Sequence, residues 1–321
     1  MSAEISCEKG TANMKKIETV TMIGLGAVGG GVLAKIAETV PMGNIRVVAS
    51  GARAERLRQD GIEVNGRKYK FNVYEPADTP GPADLLLIVV KNNQLGEAIA
   101  AVRNHVGPDT VILSLLNGVT SEQEVAAAYG AEKVLHSLML GTDATRVGNR
   151  TEYASLGIIP FGEARNEAGA YAENVLRVQE FFTRTGVNHE IPADMIRTMW
   201  KKFMLNVGLN QTSAVVRCTY SVMQHEGPAR DLVRSAMQEA LAIVEREGID
   251  LSAADLQEGL EVLDRLGPKG KTSMLQDVEA KSRTEVEMFG GTVVALGKKH
   301  GLPTPVNEVL YRAIKAMEET F

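Results

Sequence analysis

The sequence predicts an α/β chain in two parts: a doubly wound parallel sheet in the N-terminal half, followed by an all-helical C-terminal domain. Three observations carry this prediction. Short, almost wholly apolar runs alternate with helical stretches from Ile17 to about Ile191. A glycine-rich turn, Gly24-Leu25-Gly26-Ala27-Val28-Gly29, directly follows the first of these runs. After about Pro192 the remaining stretches are amphipathic at helical spacing. Strands that alternate with helices imply right-handed βαβ units in one sheet. Runs that are apolar at every position suit strands buried on both faces.

In chain order, the first fifteen residues mix charges without an apolar stretch, and they are expected to be a disordered tail (1–15) rather than a signal peptide. ETVTMIGLG reads as a strand running into the glycine turn, VGGGVLAKIAETV as the helix after it, and NIRVVAS as a second strand. ADLLLIVVK and TVILSLLNG are two further strands bounded by turn residues, and EYASLGIIPFGEA reads as a strand pair at the far side of the sheet. These make up a dinucleotide-binding domain over residues 16–191. In the helical domain, 192–321, the segments are PADMIRTMWKKFMLNVGLNQTSAVV, ARDLVRSAMQEALAIVEREG, SAADLQEGLEVLDRLG, SMLQDVEAKSRTEVEMFGGTVVALGKKHG and VNEVLYRAIKAMEET. A catalytic cleft is expected between the two domains.

The bulk properties narrow the function classes. At 321 residues the chain can build two cores, and its 44% hydrophobic and 23% charged residues are ordinary for a soluble protein. A net charge of −5 gives no support to nucleic-acid or anionic-membrane binding. No apolar run approaches the roughly 20 residues that a membrane span needs. Two cysteines, Cys7 and Cys218, cannot make a disulfide framework or a cysteine-rich zinc site, which points to a reducing cytoplasm. The five histidines show no metal-ligand spacing.

Gly24, Gly26 and Gly29 match G-x-G-x-x-G with a strand before and a helix after. The first glycine permits the tight turn, the second lets a pyrophosphate approach the backbone, and the third permits close helix–strand packing; the helix N-terminus then offers free N–H groups to phosphate. The plain alternative is a glycine-rich turn with no ligand. The Rossmann context favours a cofactor held by Gly24, Leu25, Gly26, Ala27, Val28 and Gly29. NAD binders carry an acidic residue about 20 residues after the glycines. Here the second strand ends in Ser50-Gly51-Ala52-Arg53, with Arg56 and Arg58 following and no carboxylate until Glu55. A hydroxyl and arginines suit a 2′-phosphate, so NADP(H) is the expected cofactor, with Ser50 and Arg53 at its ribose. Arg58 reads better as part of a solvated helix face.

Ligands on open α/β sheets bind beyond the carboxyl ends of the strands. Two polar groups sit there: Lys91-Asn92-Asn93-Gln94 after ADLLLIVV, and Asn117-Gly118 after TVILSLL. Lys91 is also explicable as a strand-end solubiliser, and Asn117 as a turn residue. In the helical half Lys202, Asn206 and Asn210 fall at i, i+4 and i+8, on one face of a helix with apolar flanks. A solvent-facing stripe would usually carry Glu or Arg as well, so a lined cleft is the better reading; Lys201 is expected to be the exposed lysine. Ser273 and Glu285 would stand about 18 Å apart on one straight helix, too far to share a small substrate. Either Ser273 precedes the helix and the chain bends back, or one of them acts through neighbours.

Taken together, GLGAVGG, VKNNQ, LNG, KFMLNVGLNQTSA, TSMLQD and TEVEMFGG resemble the 2-dehydropantoate 2-reductase (ketopantoate reductase) family, over almost the whole chain. The resemblance implies NADPH-dependent reduction of 2-dehydropantoate to pantoate, in pantothenate and coenzyme A biosynthesis. It makes Lys202 the general acid and Glu285 its catalytic partner, with Asn206, Asn210, Ser273 and Asn117 on the substrate. Lys91, Gln94 and Asn117 would line the nicotinamide end of the cofactor. Two departures stand out. Many members have arginine where this chain has Ser50, a place Arg53 could fill. The usual N-P-L-T-A segment reads Asn210-Gln211-Thr212-Ser213-Ala214 here, without the proline. The alternatives are a related reductase of another 2-oxo acid, an opine-forming enzyme, and a non-catalytic NADP(H) sensor. The expected partner is a small 2-oxo acid, with no nucleic acid and no membrane; a homodimer is left open.

Overall fold

The computed structural model describes residues 14–321, so the expected tail lies, through residue 13, outside the described residues. The chain divides into two compact units. One comprises the described residues up to Val90, with Gln94–Leu116 and Thr120–Met195; the other comprises Lys91–Asn93, Asn117–Val119 and Ile196–Phe321. Lys91, Asn92 and Asn93 and the Asn117-Gly118 pair thus divide from their strands and belong with the helical unit, while Gln94 stays with the first.

The first unit contains the strands β1 (Val20–Ile23), β2 (Ile45–Val48), β3 (Ile62–Val64), β4 (Arg67–Tyr69), β5 (Asn72–Tyr74), β6 (Leu85–Ile88), β7 (Val111–Ser114), β8 (Val134–Ser137), β9 (Asp143–Val147), β10 (Arg150–Ser155), β11 (Ile159–Gly162) and β12 (His189–Glu190). Its helices are α1 (Ala27–Ile36), α2 (Gly51–Asp60), α3 (Leu95–Ala101), α4 (Ser121–Tyr129) and α5 (Glu173–Thr185). The main sheet has the order β12-β11-β8-β7-β6-β1-β2-β5. From β5 to β8 every neighbouring pair is parallel, and β11 runs antiparallel to β8 at the far side. The continuous apolar runs have a direct cause. Leu85 and Leu87 of β6 enter one core with Val32 and Leu33 of α1 and Phe181 and Phe182 of α5. Leu86 and Ile88 enter a second core with Leu95 and Ala98 of α3 and Val125 of α4. Alternate side chains of a strand point to opposite faces, so a sheet covered twice needs apolar residues at both parities.

A second, four-stranded sheet has the order β4-β3-β10-β9 and packs on α1. It corrects the expected pairing within EYASLGIIPFGEA, whose two halves join different sheets. Gly157 between them has φ +79°, and a Cβ there would meet the Leu140 carbonyl oxygen at 2.1 Å, so the chain turns sharply. β10 is mostly exposed or half-buried, as a strand of a small one-sided sheet must be, whereas every residue of β11 is buried.

The helical unit is built on α6 (Met195–Val216), followed by α7 (Tyr220–Gln224), α8 (Pro228–Arg246), α9 (Ala253–Arg265), α10 (Ser273–Glu279), α11 (Thr292–His300) and α12 (Pro305–Glu318). Its core joins Phe203, Met204 and Val207 of α6 to Val233 and Met237 of α8, Leu260 of α9, Phe289, and Ile314 of α12. α6 runs through Gln211 without a break. Gln211 Nε2 donates to the Val207 carbonyl and to Asn307 Oδ1, each at 2.9 Å. Losing such a partner in a buried amide costs about 1–3 kcal/mol, which fixes α6 against α12. The helix expected from Ser273 to beyond Glu285 is interrupted. α10 stops at Glu279, Lys281 takes φ +51°, and a π-helical turn over Glu287–Gly291 then leads into α11. Glu318 accepts from both the backbone N–H and the hydroxyl of Thr284 and pins the returning chain. The chain does bend back between Ser273 and Glu285, although Ser273 opens α10 rather than preceding it.

Candidate active site

In the first unit β1 enters the glycine turn. Gly24 has φ +101°, and a Cβ on it would meet the Val89 carbonyl oxygen at 2.2 Å; one on Gly29 would meet the Gly24 carbonyl oxygen at 2.1 Å. The fold itself demands these two glycines. Gly26 is different, because a Cβ there meets nothing within 4 Å. Its bare backbone leaves the space that a pyrophosphate requires. Gly26 caps α1 without a side-chain bond, and no acidic residue lies in the first turn, so the first N–H groups stay available to an anion. The turn fits a dinucleotide.

Beyond β2, Ser50 precedes α2 and makes no capping bond with its side chain. Arg53 of α2 donates from Nη2 to the Leu25 carbonyl at 3.1 Å. Arg146 of β9 donates from Nη1 to the same carbonyl. Burial lowers the pKa of both guanidinium groups. Repulsion from Arg56 adds to this for Arg53, and from Arg53 and Arg56 for Arg146. Arg58 instead pairs with Glu75 and belongs to the solvated face. Gln94 is exposed and precedes α3 without a capping bond.

In the second unit a chain of polar contacts runs through α6. Lys202 Nζ donates to Asn117 Oδ1 at 2.9 Å, and Asn117 Nδ2 donates to Glu285 Oε2 at 2.8 Å. An ammonium only donates and a carboxylate only accepts, so the amide is held in one orientation. Burial pushes the Lys202 pKa down to about 8, against an opposing pull from the Glu285 charge. Glu285 acts on Lys202 through Asn117 and through its field rather than as a direct hydrogen-bond partner. Lys91 Nζ donates to Asp277 Oδ1 at 2.7 Å and to the Arg283 carbonyl at 3.1 Å. Asp277, which also accepts from Ser282, has its pKa raised by burial.

Ser273 is the first residue of α10. Asn210 Oδ1 accepts from its hydroxyl at 3.2 Å and from the Met274 N–H at 3.3 Å. Thr272 caps the same helix, accepting from Leu275 N–H, and also contacts Ser213 of α6. Asn210 therefore joins α6 to α10 and is itself buried, while Ser273 keeps an exposed surface. Asn206, one turn before Asn210, is half-buried, and its side chain makes no hydrogen bond to another described residue. Lys201 ties α6 to α9 through Asp255 and Glu258 instead of standing free. Among the described residues no cluster suits a metal ion, and no helix is long and apolar enough to cross a membrane.

Two family models match the chain: "Ketopantoate reductase PanE/ApbA" over residues 20–166, and "Ketopantoate reductase PanE/ApbA C terminal" over residues 194–318. The chain belongs to the ketopantoate reductase family. It is an oxidoreductase of that nicotinamide-dinucleotide-dependent family. A 2-dehydropantoate 2-reductase of Pyrococcus horikoshii is 24% identical over 307 residues, 93% of this chain and 97% of the relative. Among solved structures, a 2-dehydropantoate 2-reductase from Geobacter metallireducens superposes with a TM-score of 0.81 at 23% identity, covering 93% of this chain and 99% of its own. D-mandelate dehydrogenase, solved with NADH and anilino(oxo)acetate, superposes at 0.83 with 19% identity, covering 94% and 99%.

Of the residues carried over from the ketopantoate reductase family, three form one connected group, Lys202–Asn117–Glu285, and two more form a pair, Asn210–Ser273. Lys91 joins Asp277 rather than either group. Two polar residues were missed from sequence. Asp277 lies within the TSMLQD motif, where nothing in the sequence separates it from the nearby Gln276 and Glu279. Arg146 lies 121 residues from the carbonyl it holds; the Gly148-Asn149 turn beside it signals a hairpin, but nothing local signals that contact.

Proposed function

We propose that this ketopantoate reductase family member reduces 2-dehydropantoate to pantoate with NADPH, with Lys202 as the general acid. The observation that carries the reading is the Lys202–Asn117–Glu285 chain, which holds a half-buried lysine with a pKa of about 8 in a fixed direction. A donor with a pKa near the working pH gives up its proton readily and is still mostly protonated at pH 7. The turn at Gly24–Gly29 and Arg53 would hold the dinucleotide, whose reduced nicotinamide supplies a hydride. Lys202 Nζ then gives the proton to the substrate oxygen that becomes the hydroxyl, and its positive charge stabilises the negative charge building there. Asn117 orients the ammonium, and Glu285 keeps it charged. Asn206, with no partner of its own, offers its amide to the substrate. The exposed hydroxyl of Ser273, fixed by Asn210, suits the substrate carboxylate.

The second reading is reduction of a neighbouring 2-oxo acid. It draws support from the likeness in fold to D-mandelate dehydrogenase and from Gln211 in place of the family proline. Initial rates with ketopantoate and a panel of 2-oxo acids, each with NADPH and NADH, decide between them. The proposal expects the highest kcat/KM for ketopantoate with NADPH. A higher value for another oxo acid would replace the substrate assignment, and cofactor binding without turnover on any acid would leave a sensor.

A further inference from the structure

We propose that Arg146, supplied by the hairpin of the second sheet, reads the cofactor together with Arg53 by clamping the 2′-phosphate of the adenosine ribose. The inference rests on the NADPH reading above and deepens it. It begins with a shared acceptor: Arg53 from α2 and Arg146 from β9 both donate to the carbonyl oxygen of Leu25, the residue between the first two glycines of the turn. Two guanidinium groups on one oxygen must stand side by side. Arg56 lies near enough for its charge to act on both.

Like charges brought together cost free energy unless something compensates them, and none of the three arginines has a carboxylate partner among the described residues. Other arginines of this unit that lack a carboxylate stand apart from one another, as Arg46 on the Gly81 carbonyl does, while Arg58 has Glu75, Arg150 has Glu63 and Arg184 has Glu180. The uncompensated group sits at the end of β2 beside the glycine turn, where a carboxylate would hold the ribose 2′-hydroxyl of NAD. A dianion there neutralises the repulsion, and the planar fork of each guanidinium can grip a phosphate by two parallel hydrogen bonds. The arrangement also accounts for Ser50: a small hydroxyl at the strand end leaves room for guanidinium groups that arrive from the helix and from the other sheet. Arg146 is thus a specificity-determining residue contributed from outside the βαβ unit that binds the rest of the cofactor.

The test measures dissociation constants of NADPH, NADH, 2′,5′-ADP and 5′-ADP by calorimetry for the full chain and for Arg146→Ala, Arg146→Lys and Arg53→Ala. Arg146→Ala is expected to weaken NADPH and 2′,5′-ADP by about 10- to 100-fold and to leave NADH and 5′-ADP within about twofold. Arg146→Lys, which keeps the charge but not the fork, should fall between. Equal losses for both members of each pair would overturn the proposal and make Arg146 a support of the turn or a pyrophosphate contact; no loss at all would overturn it too. A melting temperature measured for each variant separates loss of fold from loss of recognition, and 2′,5′-ADP binding that survives unchanged in Arg146→Lys and Arg146→Ala alike also sinks it. The nucleotide pairs require no turnover. A wild-type chain that discriminates 2′,5′-ADP from 5′-ADP yet reduces no oxo acid would refute the proposed function and leave this inference standing.

Discussion

Replacing Lys202 by methionine, a neutral side chain of similar length, should change the pH dependence of stability in a way that the site geometry dictates. Burial takes the Lys202 pKa from 10.5 to about 8, and at about 1.4 kcal/mol for each pH unit that fall corresponds to about 3 kcal/mol. Because the folded pKa lies below the unfolded one, the fold disfavours the charged form. The penalty is therefore complete below pH 8, is relieved between about 8 and 10.5, and is gone above that. Lys202→Met removes it, but leaves Asn117 Oδ1 without its donor, which costs about 1–3 kcal/mol at every pH. The net difference at pH 7 is accordingly small. Its slope is not: relative to wild type, the variant should lose about 3 kcal/mol of advantage between pH 8 and 10.5. Urea unfolding of both proteins across pH 6.5–10.5 measures this, since the other titrating groups cancel in the difference. A flat difference across that range would refute the placement of Lys202 as a half-buried, charge-disfavoured ammonium.

The glycine turn and Glu285 give two further predictions. Gly26→Ala should weaken dinucleotide binding by at least tenfold with an unchanged melting temperature, since its Cβ meets no protein atom, whereas Gly29→Ala should destabilise the fold even without cofactor, by driving a Cβ into the Gly24 carbonyl; paired thermal melts and binding titrations check both. The Glu285 charge raises the Lys202 pKa, so Glu285→Gln should lower it further and move the alkaline fall of kcat/KM for reduction from near pH 8 to lower pH, which a pH–rate profile reads directly.

Much of the sheet could be read from residues alone because the physics is local. Leu85 to Ile88 is apolar at every position only because both faces of β6 are covered, and a glycine turn that must admit φ above zero announces itself. The second sheet could not be read this way: β4 and β9 are short strands without a buried residue, and the pairing of β3 and β9 with β10 joins distant segments that pack together on α1. In the site, helical periodicity brought Lys202, Asn206 and Asn210 to one face of α6. It could not show that Asn210 would turn away to hold α10, nor that Asn117 would arrive from another segment to link Lys202 to Glu285. The break after Glu279 was foreseeable as one of two options from a distance argument. Choosing between them needed the Lys281 backbone and the Glu318 contact to Thr284. Contacts such as Arg146 on Leu25, made across long sequence separations, leave no periodic trace.

The central claim is that Lys202 supplies the proton. Single-turnover reduction of ketopantoate by Lys202→Ala pre-bound to NADPH, beside a direct titration of NADPH, tests it most directly. A fall in the turnover rate of two or more orders of magnitude, with the NADPH dissociation constant within about threefold of wild type, is the predicted result. A rate within tenfold of wild type at full NADPH occupancy would contradict it.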